Sequence, residues 1–206
     1  MVYLLISPRR VYRNIYYHKQ TKNQWARDDP AFLVILSFLL CLSAIAWGIA
    51  YGHGFLGILR MMFFMVFIDF VLVGAAVASF CWFTSNRFLT HTSSIHSTDQ
   101  SVEWPYAFDV HCNAFFPLFL VLYVIQFFFM PLLISRSWIA LFVGNSMYLF
   151  AACYYSYITF LGYNALPFLL HTELFLVPIA ILSVLYIASL FGFNVSIQVL
   201  QLYFGS

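Results

Sequence analysis

The sequence has 206 residues, of which 64% are hydrophobic and only 8% are charged, and its formal net charge is +2. Because a soluble domain carries about 25% charged residues, this composition excludes a fold whose whole surface faces water. No long polar segment could fold apart from the apolar runs, so the chain is predicted to form one integral membrane domain.

Residues 1–29 are predicted to form a basic cytosolic segment at the membrane surface. The stretch SPRRVYRNIYYHK is typical of an amphipathic interfacial helix, with Ser7 as its cap and Pro8 in its first turn. The cations predicted to bind lipid or a partner are Arg9, Arg10, Arg13, Lys19, Lys22 and Arg27. Each such charge adds about 1 kcal/mol of attraction to an anionic leaflet. The alternative is that these charges only fix the topology.

Residues 30–206 are predicted to form an all-α membrane domain with five transmembrane helices. A helix needs about 20 apolar residues to cross the hydrocarbon, and no strand-like alternation of polar and apolar residues suggests a barrel instead. The qualifying runs are about 31–52, 56–84, 113–134, 138–161 and 173–194. Asp28, Asp29 and Pro30 provide a capped start for the first of them.

The distribution of cations predicts the orientation. With five spans, the N-terminus and the loops near 85–112 and 162–172 share one side of the membrane. That side holds seven of the nine Lys and Arg residues, the six in the N-terminal segment plus Arg87. Because cytosolic loops carry the excess of Lys and Arg, we expect a cytosolic N-terminus and a lumenal C-terminus.

Asp69 lies near the middle of the second predicted span, where an ionisable side chain is costly and therefore a functional candidate. Arg60 is nine positions away, about half a circumference round a helix, so it does not share a face with Asp69. Asn113, Gln126 and Asn145 are candidate partners in other spans. Asp69 either makes a packing hydrogen bond or belongs to an ion or proton pathway.

The stretch EWPYAFDVHCNAFFP at 103–117 concentrates polar side chains before an apolar run. These are Glu103, Asp109, His111 and Asn113. Their spacing matches no zinc-ligand signature, and no Ser or Cys nucleophile lies in a recognisable turn beside an Asp–His pair. We therefore predict no catalytic residue, metal or cofactor here. Negative charge ahead of the apolar run favours a helix start, so the stretch is interpreted as the cytosolic shoulder of the third span.

Three blocks carry a family resemblance: SPRRVYRNIYYHKQTKNQWARDDPAF at 7–32, VEWPYAFDVHCNAFFP at 102–117 and TFLGYNALPFL at 159–169. Together they resemble the uncoordinated-fifty (Unc-fifty) family of Golgi multi-pass membrane proteins, which is related to the Yip group. The resemblance implies a five-span Golgi or early-secretory protein without enzymatic activity. It also implies a part in recruiting large Arf guanine-nucleotide exchange factors and in transporting selected cargo such as nicotinic acetylcholine receptors.

The main hypothesis is therefore a non-enzymatic trafficking factor whose basic segment and two cytosolic loops form one surface for Golgi membrane lipids and an exchange factor. The first alternative is a small transporter or lipid-handling protein that uses Asp69, with Glu103, Asp109 and His111 at its cytosolic mouth. RNA binding, which has been proposed for the family, is the second alternative. It would use the basic residues of the N-terminal segment.

Overall fold

The computed structural model describes residues 1–13, 24–27, 29–90, 100–135 and 137–204. Within these ranges the chain is almost entirely helical, and the extended structure is limited to an isolated bridge between Thr90 and Leu169. Lys19, Lys22 and Asp28 lie outside the described residues, as does much of the predicted interfacial helix. The interfacial location of the N-terminal segment therefore stays a prediction.

Among the described residues, five helices are long and apolar enough to cross a membrane, which confirms the predicted fold class. In chain order the helices are α1 (Val2–Ile6), α2 (Pro8–Tyr12), α3 (Ala31–Ala50), α4 (Phe55–Leu89), α5 (Trp104–Leu133), α6 (Trp138–Asn164), α7 (Thr172–Ser189) and α8 (Val195–Phe204). The candidate spans are α3 to α7. Pro30 occupies the N-cap position of α3, and the carboxylate of Asp29 just before it accepts the Ala31 N–H at 2.8 Å.

The third span begins earlier than its hydropathy predicts. Helix α5 starts at Trp104, with Glu103 at its N-cap and Pro105 in its first turn, whereas the predicted start was about 113. Its first turns include buried side chains such as Tyr106 and Val110, but also polar ones. Because these turns pack against other parts of the protein and not against lipid, they can contain polar residues. Hydropathy therefore does not identify them as part of a span.

The fifth span ends earlier than predicted. Helix α7 ends at Ser189, and the chain then turns through Gly192, whose φ of 134° is a conformation that favours glycine. The predicted run to 194 therefore contains a helix, a turn and the approach to α8. Helix α8 was not predicted, and its Ser196 and Leu200 side chains are buried.

Helix α5 packs between α4 and α6. Two glycines allow this close packing: a Cβ at Gly162 on α6 would lie 2.7 Å from Val110 Cγ2, and a Cβ at Gly74 on α4 would collide with the His111 ring. Gly74 belongs to a run of small residues after Asp69, and residues of this kind let neighbouring helices approach closely.

The outer surface of the bundle is apolar. Among its exposed side chains are Ile49, Phe80, Phe128 and Val184, each more than 60% exposed. Exposed apolar area on this scale is incompatible with water but suits lipid.

Two of the spans contain π-helical segments, which are rare and occur frequently at functional sites. They are Phe64–Leu72 and Ser85–Leu89 in α4 and Leu120–Ile125 in α5. Pro117 lies inside α5 just before the third segment, where it lacks an N–H to donate and crowds the preceding turn. The first and third segments contain Asp69 and Tyr123, which contact each other.

Candidate functional site

The two carboxylates at the start of α5 hold the chain segment that precedes α3. Glu103 Oε2 accepts the backbone N–H groups of Trp25 and Ala26 at 2.9 and 3.3 Å. Asp109 Oδ2 accepts the backbone N–H of Arg27 at 2.7 Å. Hydrogen bonds to an ionised acceptor are stronger than neutral ones, so these contacts tie residues 25–27 to α5.

The Arg27 side chain continues this attachment. Its Nη2 donates to Asn113 Oδ1 at 2.8 Å, its Nε lies 3.9 Å from Asp109 Oδ1, and its guanidinium lies over the Phe32 ring. Asn113 Nδ2 in turn donates to the Tyr12 hydroxyl at 3.2 Å. Arg27 was predicted to bind lipid or a partner, but its guanidinium faces α5.

Tyr12 shows that α2 is also held against the bundle. Its side chain is 6% exposed, and burial raises the pKa of its phenol well above the ordinary value. Leu4 on α1 is buried as well, and its carbonyl accepts the Tyr154 hydroxyl at 3.0 Å. The predicted cap is only partly present, because Ser7 occupies the N-cap position of α2 without a side-chain hydrogen bond.

His111 joins three helices. Its Nε2 lies 3.1 Å from the Phe70 carbonyl of α4, and its Nδ1 lies 2.7 Å from the Tyr155 hydroxyl of α6. Because a carbonyl can only accept, Nε2 carries the proton and Tyr155 donates to Nδ1. This neutral imidazole is buried, and both its nitrogens are hydrogen-bonded. His111 therefore holds α4, α5 and α6 together by packing and hydrogen bonding.

Three of the predicted lipid-binding arginines lie together. Arg9, Arg10 and Arg13 line a cavity of about 760 Å³ between α2 and the end of α6. Its polar lining also includes Ser7 and Asn164. Arg9 Nε donates to the Tyr157 hydroxyl at 3.2 Å, which fixes that guanidinium on α6. No acidic side chain is among the described residues that line this cavity.

Asp69 is half-buried and bonded to two tyrosines. Its Oδ2 accepts the Tyr123 hydroxyl of α5 at 3.1 Å, and its Oδ1 accepts the Tyr203 hydroxyl of α8. A cavity of about 280 Å³ opens beside the carboxylate. Its lining includes Trp47, Phe115 and Tyr148.

The three amides suggested as partners of Asp69 bond elsewhere. Asn113 bonds Arg27 and Tyr12, as described above. Gln126 lines the Asp69 cavity, but its Nε2 donates to the Tyr148 hydroxyl at 3.4 Å. Asn145 Nδ2 donates to Ser189 Oγ at 2.8 Å, and its Oδ1 accepts the Val195 N–H at 2.8 Å, so this amide holds the start of α8.

The predicted polar residues thus fall into separate places. Glu103, Asp109 and Asn113 bind the N-terminal segment, and His111 lies among α4, α5 and α6. None of these four lines the Asp69 cavity. Among the residues that the structure describes, no group of three or more His, Cys, Asp or Glu side chains could hold a metal ion. Sequence reasoning missed Tyr123 and Tyr203, since no local pattern links them to Asp69.

The fold and these contacts define a small membrane protein with five candidate spans, in which the described N-terminal residues 1–13 and 24–27 dock on the end of the helix bundle. The model of the UNC-50 family matches residues 1–204, so the chain belongs to the UNC-50 family, as its three sequence blocks indicated.

Curated relatives support this assignment. The chain is 52% identical to the protein unc-50 homolog of Dictyostelium discoideum, over 100% of this chain and 79% of that protein. It is 50% identical to the protein unc-50 homolog of Mus musculus, over 94% of this chain and 74% of that protein. The protein GMH1 homolog of Schizosaccharomyces pombe is 44% identical over 100% of this chain and 88% of its own length. No solved structure matches the chain.

Proposed function

We propose that this protein is a non-enzymatic Golgi membrane trafficking factor. It helps to recruit Arf guanine-nucleotide exchange factors and supports transport of selected membrane cargo, such as nicotinic receptors. The observation that carries the proposal is the cluster of Arg9, Arg10 and Arg13 in one cavity, whose described lining contains no acidic side chain.

A preformed surface favours partner binding because fewer side chains and loops must be ordered on association. Trp25 of the N-terminal segment is adjacent to the loop before α7, since the Trp25 and Phe168 ring centroids lie 5.8 Å apart. The same loop contacts the end of α4, where the Leu170 N–H donates to the Leu89 carbonyl at 2.8 Å. With a cytosolic N-terminus, this end of the bundle would present arginines to the anionic leaflet and to an exchange factor at once.

The test is to change Arg9, Arg10 and Arg13 together to Gln and to measure how much exchange factor remains on Golgi membranes in cells. We expect a clear loss of recruitment, together with missorting of cargo, while the protein itself still accumulates. Arg60→Gln is the control, because Arg60 lies near the first residue of α4, at the opposite end of that helix from Leu89. Its guanidinium packs over the Phe64 ring. Full recruitment by the triple variant, at normal abundance, would contradict the proposal.

The two alternatives are affected differently by the geometry. A transporter or lipid-handling role retains Asp69 and its cavity, but Glu103, Asp109 and His111 do not form a mouth for it. RNA binding would use the same three arginines, with Arg27 already paired to Asp109 and Asn113. RNA binding that vanishes in moderate salt and shows no base preference would indicate charge alone.

A further inference from the structure

We propose that the cavity beside Asp69 is a binding site for an ammonium group, carried either by a phospholipid headgroup such as ethanolamine or choline or by a free amine. This site shares no lining residue with the arginine cavity, and the inference goes beyond the proposed trafficking function. The inference stands on the charge of the cavity, its aromatic lining and the backbone that forms it.

The cavity has acceptor capacity for a cation. Asp69 is its carboxylate, and neither Lys, Arg nor His is among the described residues that line it. An ionised carboxylate has about four lone-pair positions, and Tyr123 and Tyr203 use two of them. An ammonium donor can use the remaining positions and compensate a charge that is otherwise costly within a membrane.

The lining provides an unusual number of aromatic rings. They belong to Trp47, Phe115, Tyr123, Tyr148 and Tyr203. Ring faces attract cations, and cages of aromatic rings recognise quaternary ammonium groups. Trp47 is fixed in place: it is 2% exposed, and its Nε1 donates to the Tyr123 carbonyl at 2.9 Å.

The backbone at the cavity is also irregular. Asp69 lies within the π-helical segment Phe64–Leu72 and Tyr123 within the π-helical segment Leu120–Ile125. Such segments have less favourable hydrogen-bond geometry than an α-helix and are found frequently at functional sites. Two such segments meet at the Asp69 carboxylate, and this arrangement is typical of a functional site.

The volume of the cavity and the acceptor groups in its lining limit which ligands fit it. A volume of about 280 Å³ is at the small end of ligand sites, which favours a headgroup or a small amine over a larger molecule. Calcium takes six to eight oxygen ligands, commonly from several carboxylates, whereas Asp69 is the only acidic residue among the described lining. A monovalent organic cation fits this chemistry better.

The first experiment uses the full chain in nanodiscs of phosphatidylglycerol, which contains no amine. Choline and ethanolamine are titrated at constant ionic strength, with sodium chloride as the reference, and tryptophan fluorescence is recorded. We expect a saturable change that disappears in Trp47→Phe. Asp69→Asn should raise the Kd at least about tenfold. Glu173→Gln, which neutralises an exposed carboxylate at the start of α7, is the matched control and should leave the Kd unchanged.

A second variant keeps the test decisive if Asp69→Asn fails to fold. Tyr148 lines the cavity but does not bond Asp69, so Tyr148→Leu removes a ring while leaving both tyrosine contacts to the carboxylate. The loss of one cation–π contact should raise the Kd about fivefold. The same Kd in Tyr148→Leu as in the unchanged protein would overturn the proposal.

The second experiment separates the two sources of the ammonium group. The protein is purified from a mixture of phosphatidylethanolamine, phosphatidylcholine and phosphatidylglycerol, and retained lipids are identified by native mass spectrometry. Retention of an amine lipid that depends on Asp69 assigns the site to a headgroup, whereas binding of only the free amines assigns it to a soluble ligand. If neither binds, or if sodium alone reproduces the fluorescence change, the proposal is wrong. Loss of exchange-factor recruitment in the arginine variant is independent of all these results.

Discussion

The contact between Gly74 and His111 sets how closely α4 and α5 approach. The imidazole occupies the space that a β-carbon at Gly74 would need, and both its nitrogens are hydrogen-bonded to neighbouring helices. The close packing of α4 on α5 and the hydrogen bonds to Phe70 and Tyr155 therefore depend on the same ring. The sequence draws attention to His111 as a polar residue beside a span, but it contains no sign that its ring contacts Gly74.

Gly74→Ala tests this contact. The added methyl group would collide with a buried ring that is held by two hydrogen bonds, so we expect a loss of about 1–3 kcal/mol in the free energy of unfolding. Thermal or denaturant unfolding in detergent measures it. Gly54→Ala is the control, because a Cβ there meets nothing within 4 Å and the change should stay within about 0.5 kcal/mol. Equal stability of the two variants would show that His111 yields easily.

Glu103 provides a second residue-scale prediction. Its carboxylate accepts the N–H groups of Trp25 and Ala26, so Glu103→Ala leaves both amides without that acceptor. A hydrogen bond to a charged group contributes about 1.5–3 kcal/mol, and hydrogen exchange at these two amides should accelerate about tenfold or more. The exposed Glu173→Ala serves as the control. Unchanged exchange at both amides would mean that other contacts hold the segment.

At the scale of elements, hydropathy identifies the parts that contact lipid and misses those that contact protein. The five spans were predictable because lipid demands continuous apolar helix. The first turns of α5 were missed because they face the N-terminal segment, where Glu103, Asp109 and Asn113 have partners. Helix α8 was missed because its stretch VSIQVLQLYF is shorter than a span and depends on tertiary contacts.

Helix α8 should depend on the bond between Tyr203 and Asp69. Tyr203→Phe removes one of two donors to the carboxylate, leaving a half-buried charged acceptor with less compensation. We expect protease cleavage within α8 to become faster by about fivefold or more, since losing such a bond costs about 1–3 kcal/mol. Tyr3→Phe on α1, where the ring is 53% exposed, is the matched control. Cleavage rates that match between the two variants would show that Leu200 and Ser196 suffice to seat α8.

At the scale of the whole molecule, an odd number of spans requires the two termini to lie on opposite sides of the membrane. The described part of the N-terminal segment, which includes Arg9, Arg10, Arg13 and Arg27, packs at the end of the bundle where α5 begins and α6 ends. The loop before α7 joins the same end through the Leu170–Leu89 hydrogen bond. The excess of basic residues on that end predicts that it faces the cytosol.

An N-glycosylation acceptor appended after Ser206 through a flexible Gly/Ser spacer tests this orientation. The spacer keeps the acceptor clear of the bilayer, so modification depends only on the side of the membrane that it occupies. We expect the C-terminal acceptor to be glycosylated, because five crossings from a cytosolic N-terminus place the C-terminus in the lumen. The same acceptor and spacer placed before Met1 should remain unmodified, and mobility on a gel before and after glycosidase treatment distinguishes the two. Glycan on the N-terminal acceptor alone would contradict the predicted orientation and place the arginine cavity on the lumenal side. Modification at neither end would instead require an even number of crossings, and one of the five apolar helices would then have to lie in the membrane without spanning it.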